Sequence, residues 1–239
     1  LRFQARLYSG TRDNLQYQAS SATAGTWVGL ARQFGGAGIQ IQGKARMSGD
    51  KALDWVIGHD RDSSGEQRQG GSTANGSKTN TNRNELNVAS NRDYFAQANW
   101  HLIPNWTFIT GVRQSSVQLS SRDDYLTDGV DGSGSVVYKS TNPVFGATWH
   151  AFDTLNLYLN QGKGIETPTL SESAYSRSGS TIVGSFNPNL LASRSQHLEF
   201  GSKWTPAKFT RIDAAWFRIK TDDEIVTDLT VSGKSAYTN

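Results

Sequence analysis

The sequence predicts an all-β protein whose strands form an antiparallel, up-and-down segment of a transmembrane β-barrel. Three observations support this prediction. Apolar and polar residues alternate along most of the chain, as the two faces of a sheet require. The connections between the predicted strands are alternately short and long, which is typical of membrane barrels. Aromatic residues gather at the short connections, where a barrel meets the membrane interface.

The clearest predicted strand runs from Gly38 to Met47, where Ile39 and Ile41 alternate with Gln40 and Gln42. One face of this strand is apolar and the other is polar, which favours a strand that separates two different environments. In all, about nine or ten strands are expected. The others are predicted at 1–18, 53–59, 94–102, 108–119, 143–150, 155–160, 198–204 and 212–220, with a further strand beginning near Tyr237.

Short and long connections are predicted to alternate along the chain. The short ones are Ser48–Asp50, Pro104–Asn105, Phe152–Asp153 and Thr205–Ala207, and the long ones are 63–90, 121–140 and 164–193, with a lesser one at 22–36. The 63–90 tract is polar and of low complexity, so a solvated, mobile loop is expected there. The aromatic residues beside the short connections are Trp100, Trp106, Trp149, Phe152, Trp204 and Phe209.

Composition excludes several classes of protein. Hydrophobic residues make up 36% of the chain, too many for a disordered segment. No window approaches the ~18 consecutive apolar residues of a membrane-spanning helix, and the mean hydropathy of −0.55 suits a barrel whose lipid face uses every second residue. Cysteine is absent and the net charge is +3, with basic residues dispersed along the chain. Nucleic-acid binding, which needs a concentrated basic face, is therefore not expected.

No catalytic constellation is visible, so an enzyme is not predicted. The sequence contains no His-Glu-x-x-His, Gly-x-Ser-x-Gly or phosphate-binding loop. The histidines are far apart, whereas zinc sites usually include a closely spaced pair. Acidic residues near 123–131 could bind calcium, but the ordered calcium-loop pattern is missing and a solvated turn is favoured. No resident cofactor or metal is expected. The isolated histidines are His59, His101, His150 and His197, and the acidic residues are Asp123, Asp124, Asp128 and Asp131.

Three stretches of the C-terminal third carry a more specific pattern. They read NLYLNQGKGIETPTLSESAYS from Asn156, FNPNLLASRSQHLEFGSKW from Phe186 and RIDAAWFRIKTDDEIV from Arg211. The pattern resembles the late barrel strands of TonB-dependent receptors. The matching residues are Tyr158, Gly162, Gly164, Pro168, Thr169, Leu170, Glu172, Asn187, Pro188, Leu190, Arg194, Ser195, Glu199, Gly201, Asp223, Glu224 and Ile225.

The resemblance covers most of the chain, strongly after residue 85 and weakly before it. Residues 85–97 and 106–125 are similar to barrel strands of the siderophore-receptor branch. Two positions depart from the family pattern: Ile165 stands where Phe is usual, and Ser193 stands where Glu is common. The change at Ile165 is mild, because isoleucine keeps an apolar side chain.

The resemblance implies a location, a partner and a function. It implies that 1–239 is part of a larger barrel of about 22 strands in the outer membrane of a Gram-negative bacterium. The plug domain, the TonB box and the C-terminal strands are expected outside this chain. The full receptor would import a ferric siderophore or similar nutrient, and the TonB complex would act through the plug by β-augmentation.

Ferric siderophores are usually anionic and often aromatic, so cationic and aromatic loop residues are candidate ligands. The candidates are Arg122, Tyr125, Tyr138, Tyr175 and Arg177. The sequence is also compatible with three other functions: a passive porin, a barrel-anchored binding protein or adhesin, or a soluble carbohydrate-binding β-domain. The Pro168-Thr169-Leu170 and Asn187-Pro188 motifs favour the receptor over the porin.

Overall fold

A computed structural model describes residues 1–47, 51–231 and 234–239. Within these residues, ten strands form one antiparallel sheet, in the order β1-β2-β3-β5-β6-β7-β8-β11-β12, with β4 paired to β3. The strands are β1 (Arg2–Ala19), β2 (Ala24–Arg46), β3 (Ala52–Ala74), β4 (Ser77–Lys78), β5 (Arg83–Ile103), β6 (Trp106–Asp123), β7 (Gly134–Phe152), β8 (Leu155–Glu166), β11 (Ser193–Ala207) and β12 (Thr210–Asp222). The predicted up-and-down antiparallel fold is confirmed.

Two small hairpins lie outside the main sheet. The first is formed by β9 (Ser176–Ser178) and β10 (Thr181–Val183), and the second by β13 (Val226–Val231) and β14 (Lys234–Thr238). A short 3-10 helix, Glu172–Ala174, precedes β9. None of the helices in the described ranges is long and apolar enough to cross a membrane.

The strand register sorts side chains onto two faces, called here the apolar face and the polar face. One row of directly opposed residues crosses the apolar face from β2 to β12: Ala45, Leu53, Trp100, Phe108, Ala147, Leu159, Phe200 and Trp216. Leu159, Phe200 and Trp216 are each about half exposed. A soluble protein rarely exposes so continuous an apolar surface, whereas a lipid-facing sheet requires one.

The opposite face is polar along comparable rows. Arg6, Asp60, Asp93 and Ser140 lie in one such row. The two faces differ in hydrophobicity because neighbouring residues of a strand point to opposite faces and the sequence alternates apolar and polar residues.

The connections divide between a turn end and a loop end of the sheet. At the turn end, Pro104 and Asn105 join β5 to β6, and Asn105 has a φ of 61°, a left-handed conformation that asparagine tolerates well. The β7–β8 turn is at Asp153–Thr154, within a residue of the prediction. The predicted Ser48–Asp50 turn lies outside the described residues.

One predicted short turn is displaced. β11 continues through Thr205–Ala207, and the β11–β12 turn lies at 208–209. The ladder shifts register between Trp204 and Ala207. This irregularity accommodates Pro206, which has no backbone N–H to donate to a regular ladder.

The predicted long loops at the loop end are shorter than expected. β3 runs to Ala74 and β5 begins at Arg83, so most of the 63–90 tract is paired strand and not a mobile loop. β2 begins at Ala24, which also makes the predicted 22–36 connection wrong. The loop-end half of β3, residues 63–74, has two polar faces, and hydrophobic alternation cannot detect such a strand.

Two long connections remain at the loop end. The β6–β7 connection is confined to 124–133, whereas the β8–β11 connection spans 167–192 and matches its prediction closely. The 167–192 segment, called here the covering loop, contains the 3-10 helix and the β9–β10 hairpin.

Aromatic residues lie on the apolar face near the turn end, as predicted. Trp106 of β6 is directly opposite Trp149 of β7, and their rings stack with centroids 6.0 Å apart. Phe108 stacks on Trp106 at 5.8 Å. Such rings suit the interface between the hydrocarbon and the headgroups.

Candidate functional site

A network of charged and phenolic side chains occupies the centre of the polar face. The hydroxyl of Tyr8 donates a hydrogen bond to Asp62 Oδ1 at 2.6 Å, and Arg6 Nη2 lies 3.3 Å from Asp60 Oδ1. A Cβ at Gly36 would be 2.8 Å from the Tyr8 ring and closer still to Asp62. Glycine at this position therefore leaves the space in which the phenol meets the carboxylate.

Asp93 is the most deeply buried carboxylate of this network, at 4% exposure. Its Oδ2 accepts hydrogen bonds from Arg113 Nη2 at 2.7 Å and from Asn91 Nδ2 at 2.8 Å. A buried carboxylate is tolerated only with such partners, because desolvation strongly penalises an unpaired charge.

Paired charges continue toward the loop end of the polar face. Arg32 Nε donates to Glu66 Oε2 at 2.8 Å, and Arg83 Nε lies 2.6 Å from Glu85 Oε1. Glu66 and Glu85 are both buried. The polar face, called here the wall, thus pairs its buried carboxylates with arginines. Such a surface is suited to contact with water, a solute or a polar protein surface.

The covering loop packs on an apolar patch at the loop end of this wall. Leu119, Tyr138, Phe186 and Ala192 form a buried cluster there. The hydroxyl of Tyr138 donates to the Leu190 carbonyl at 2.8 Å. The loop is therefore anchored to β6 and β7 and is not free in solvent.

The Pro168-Thr169-Leu170-x-Glu172 motif has a structural role in this loop. Thr169 N donates to Glu172 Oε2 at 2.7 Å, and Glu172 N donates to Thr169 Oγ1 at 3.1 Å. This reciprocal pair has the two hydrogen bonds of a capping box and closes the turn that leads into the 3-10 helix, whose N-cap residue, Ser171, makes no side-chain cap. Pro168 is fully buried beneath it.

The Glu199-x-Gly201 motif serves the wall itself. The Tyr158 hydroxyl donates to Glu199 Oε1 at 2.6 Å. A Cβ at Gly201 would lie 2.5 Å from the Tyr158 ring, so the ring covers the glycine of the neighbouring strand. The motif thus locks β8 to β11.

Tyr175 and Arg177, two of the predicted ligands, meet the β13–β14 hairpin. The Tyr175 ring has the Arg83 guanidinium 4.6 Å from its centroid and the Lys234 ammonium at 5.8 Å. Arg177 Nη1 is 2.6 Å from Asp228 Oδ1. Here the structure brings cationic and aromatic groups from four segments together, which the sequence could not reveal because Arg83, Lys234 and Asp228 are distant along the chain.

The other predicted ligands are placed differently. Their placement in loops is wrong for Arg122, which is in β6, and for Tyr138, which is in β7. The guanidinium of Arg122 is paired with Asp124 at 2.9 Å, and Tyr138 is buried with its hydroxyl occupied. Tyr125 lies in the β6–β7 connection, half-buried. The ligand role of all these residues stays a prediction.

The carboxylates of the acidic β6–β7 connection accept hydrogen bonds from the backbone of the same connection. Asp123 accepts hydrogen bonds from the amides of Tyr125 and Gly132, at 2.9 and 3.1 Å. Asp131 accepts from Ser133, and these hydrogen bonds lower the pKa of the Asp131 carboxyl below its ordinary value. No group of three metal-ligating side chains is found in the part of the chain that the structure describes.

The histidines are polar wall or interface residues. His59 stacks on Tyr94 at 4.5 Å on the apolar face. The Thr107 hydroxyl lies 3.3 Å from His101 Nδ1 and 3.0 Å from His150 Nε2. The structure thus bridges two histidines that the sequence places about fifty residues apart, a distance that local sequence reading cannot span.

The described surface has open grooves rather than an enclosed pocket. One groove of about 250 Å³ lies beside Tyr8, Phe34 and Asp62, and another of about 410 Å³ lies beside Lys44 and Asp54. A solute site on this wall would need further surfaces to enclose it.

Three solved structures with this strand arrangement illustrate the fold. The copper transporter OprC matches with a TM-score of 0.74 and 16% identity, over 99% of this chain and 39% of its own. The ferric yersiniabactin uptake receptor FyuA from Yersinia pestis matches at 0.68 and 17%, over 93% and 33%. The siderophore receptor PiuA from Acinetobacter baumannii matches at 0.66 and 11%, over 90% and 36%.

At such identities these likenesses show the fold, and the chain spans well under half the length of the structures it matches. The family is shown by a different comparison. The family model described as "TonB dependent receptor-like, beta-barrel" matches residues 1–239. Proteins of this family are transporters and not enzymes, as the sequence predicted, and they lie in the outer membrane of Gram-negative bacteria. The apolar face is then the lipid face and the polar face lines the lumen. This chain belongs to the TonB-dependent receptor β-barrel family.

Proposed function

We propose that the full-length protein is an outer-membrane receptor that imports a ferric siderophore or a similar scarce nutrient by TonB-coupled active transport. The observation that carries this proposal is the family match over residues 1–239. The similar folds belong to proteins with different metal cargoes, among them a ferric yersiniabactin receptor and a copper transporter, so the fold is compatible with an iron-chelate cargo and does not select it.

The chemistry at the loop end suits an anionic, aromatic cargo. Tyr175 presents a ring that already attracts Arg83 and Lys234. Cations above an aromatic face bind carboxylate or catecholate groups while the ring stacks on the ligand. Arg177 is exposed and is held by a single carboxylate partner, Asp228, which a stronger anion could displace.

The lumen wall supports a role for a separate plug domain. Its buried carboxylates are paired within the wall, as in Arg113–Asp93 and Arg32–Glu66, so a polar domain could lie against it without leaving these carboxylates desolvated and unpaired. We propose that a plug encoded with this barrel fills the lumen and that the TonB complex pulls on a strand near its start.

Uptake by the intact receptor tests this proposal. Cells that lack the gene would be grown under iron limitation, and uptake of radioactive iron would be measured for catecholate, hydroxamate and carboxylate siderophores. We expect one class to be lost on deletion and restored by the gene, but not restored when tonB is also deleted. Uptake independent of tonB, or ion conduction by the purified protein without any cargo, would support a passive pore instead.

A substitution at a candidate binding residue tests the position of the site. Tyr175→Ala should weaken binding of the accepted ferric chelate by roughly 2- to 30-fold, from the usual range of a cation–π contact. Tyr94→Ala is the matched control, since Tyr94 is an exposed tyrosine on the apolar face, away from the lumen. Equal effects of both changes would argue against a site at Tyr175.

A further inference from the structure

Two histidine rings converge on one hydroxyl group at the turn end of the polar face. His101 Nδ1 lies 3.3 Å from the hydroxyl oxygen of Thr107, and His150 Nε2 lies 3.0 Å from the same atom. The three residues belong to β5, β6 and β7. The tight β5–β6 turn helps to hold them together, because His150 N donates a backbone hydrogen bond to the Asn105 carbonyl at 2.8 Å.

The other nitrogen of each ring faces an oxygen atom that accepts hydrogen bonds. His101 Nε2 is 3.3 Å from Asp54 Oδ2, and the second oxygen of this carboxylate is 3.4 Å from the Lys44 ammonium. His150 Nδ1 is 2.5 Å from Asn156 Oδ1. Carboxylate and amide oxygens only accept hydrogen bonds, so in each neutral ring the proton lies on the nitrogen that faces this oxygen. The lone pairs are then on His101 Nδ1 and His150 Nε2.

The two converging nitrogens therefore have too few hydrogen-bond donors. Thr107 has one hydroxyl proton, which can be donated to only one of the two lone pairs. Neither nitrogen has another hydrogen-bond partner among the described residues. A cation that accepts both lone pairs would satisfy both rings. The outer hydrogen bonds also match those of metal-bound histidines, which almost always donate the second ring N–H to a carboxylate, a carbonyl oxygen or water.

The pair of rings is open to water and offers an incomplete set of ligands. His150 is exposed and His101 is partly exposed. Within the described ranges, no third histidine or carboxylate completes a metal-binding group with them. Water and the Thr107 hydroxyl would complete the coordination, so a bound metal would exchange readily. Imidazole nitrogen suits the late first-row transition metals, and Cu²⁺ is the divalent ion of that row with the highest general affinity.

We propose that His101 and His150 form a labile binding site for a divalent late transition-metal ion, with Cu²⁺ bound most tightly. The short turns of an outer-membrane barrel face the periplasm, so the site lies at the periplasmic end of the lumen. The cluster around Tyr175 lies at the opposite, loop end of the sheet. The metal site is thus additional to the proposed cargo site and does not depend on it.

Copper binding by the full-length receptor, purified in detergent without a histidine tag, tests the proposal. Cu²⁺ is titrated in the absence of any siderophore, and bound copper is measured by equilibrium dialysis and electron paramagnetic resonance. The receptor should bind one more equivalent of Cu²⁺ than His101→Gln/His150→Gln, and the difference spectrum should show coupling to two imidazole nitrogens. His59→Gln/His197→Gln removes two histidines from other parts of the sheet and should retain the site.

Asp54 is tested as a positioning residue. Asp54→Ala removes the acceptor of the His101 Nε2 proton and should weaken copper binding by about 10- to 100-fold, whereas Asp54→Asn keeps a carbonyl acceptor and should recover most of the affinity. Asp60→Ala removes the same charge from the same strand and should leave the affinity unchanged. Heat-modifiable gel migration confirms that each variant is folded.

Three results would overturn the proposal. They are unchanged copper stoichiometry in His101→Gln/His150→Gln, an equal loss in His59→Gln/His197→Gln, and a difference spectrum without imidazole nitrogens. Because no siderophore is present, the copper titration is independent of the uptake experiment.

Discussion

Reversing the polarity of one position on the apolar face gives a quantitative test of the two-faced sheet. Leu159 lies between Ala147 and Phe200 in the apolar row and is 48% exposed, so Leu159→Arg places a guanidinium in lipid. The expected cost is about 2–4 kcal/mol for an arginine near the bilayer midplane. That cost corresponds to a roughly 30- to 700-fold loss in the folding equilibrium constant.

The neighbouring residue is a matched control. Asn160 points to the polar face, directly opposite Gly146 and Glu199, so an arginine at 160 has both space and a carboxylate. Each full-length variant would be folded into phospholipid vesicles and titrated with urea, with folding followed by gel migration and tryptophan fluorescence. If Asn160→Arg destabilised the barrel as much as Leu159→Arg, the assignment of faces would be refuted.

Three other substitutions probe the wall and the covering loop. Tyr138→Phe leaves the Leu190 carbonyl without its donor and should lower the opening free energy of the loop by about 1–3 kcal/mol, seen as faster amide hydrogen exchange in that segment. Gly201→Val forces the Tyr158 ring off the neighbouring strand and should cost about 1–3 kcal/mol in urea unfolding. Asp93→Ala removes the hydrogen bonds that Arg113 and Asn91 donate to the carboxylate, and should cost about 1–3 kcal/mol in the same assay because water can solvate the half-exposed Arg113 guanidinium.

Two of these substitutions, Tyr138→Phe and Asp93→Ala, have a control on the same kind of residue. Tyr125→Phe should not change amide hydrogen exchange in the covering loop, because the Tyr125 hydroxyl makes no hydrogen bond within the described residues. Asp213→Ala should change stability little, since Asp213 and its partner Arg211 are exposed and surface ion pairs contribute about 0–1 kcal/mol. An Asp93 variant no less stable than the Asp213 variant would contradict the burial argument.

The motifs recognised in the sequence turn out to be mainly structural. Thr169 and Glu172 close the turn before a 3-10 helix, and Glu199 and Gly201 receive the Tyr158 side chain. These positions therefore identify the family without identifying the cargo. The proposed cargo site consists of Tyr175 and its cationic neighbours, which only the tertiary structure brings together.

The candidate ligands could be predicted by residue type but not by environment. Tyr138 and Tyr175 are both tyrosines near the loop end, yet one is buried against Leu190 and the other faces two cations. Residue type decides what a side chain can bind, whereas burial decides whether it is free to do so. Burial here depends on contacts between segments about fifty to ninety residues apart.

The sequence by itself determined the two-faced sheet, because alternation has a period of two residues and is complete within a single strand. The strand centres and the apolar face follow from it. Only the tertiary structure decided that the polar 63–90 tract is mostly strand and that Asp93 meets Arg113. Those features depend on the register between strands. Backbone hydrogen bonds set this register between residues that are distant in sequence, so the pattern within one strand does not predict it.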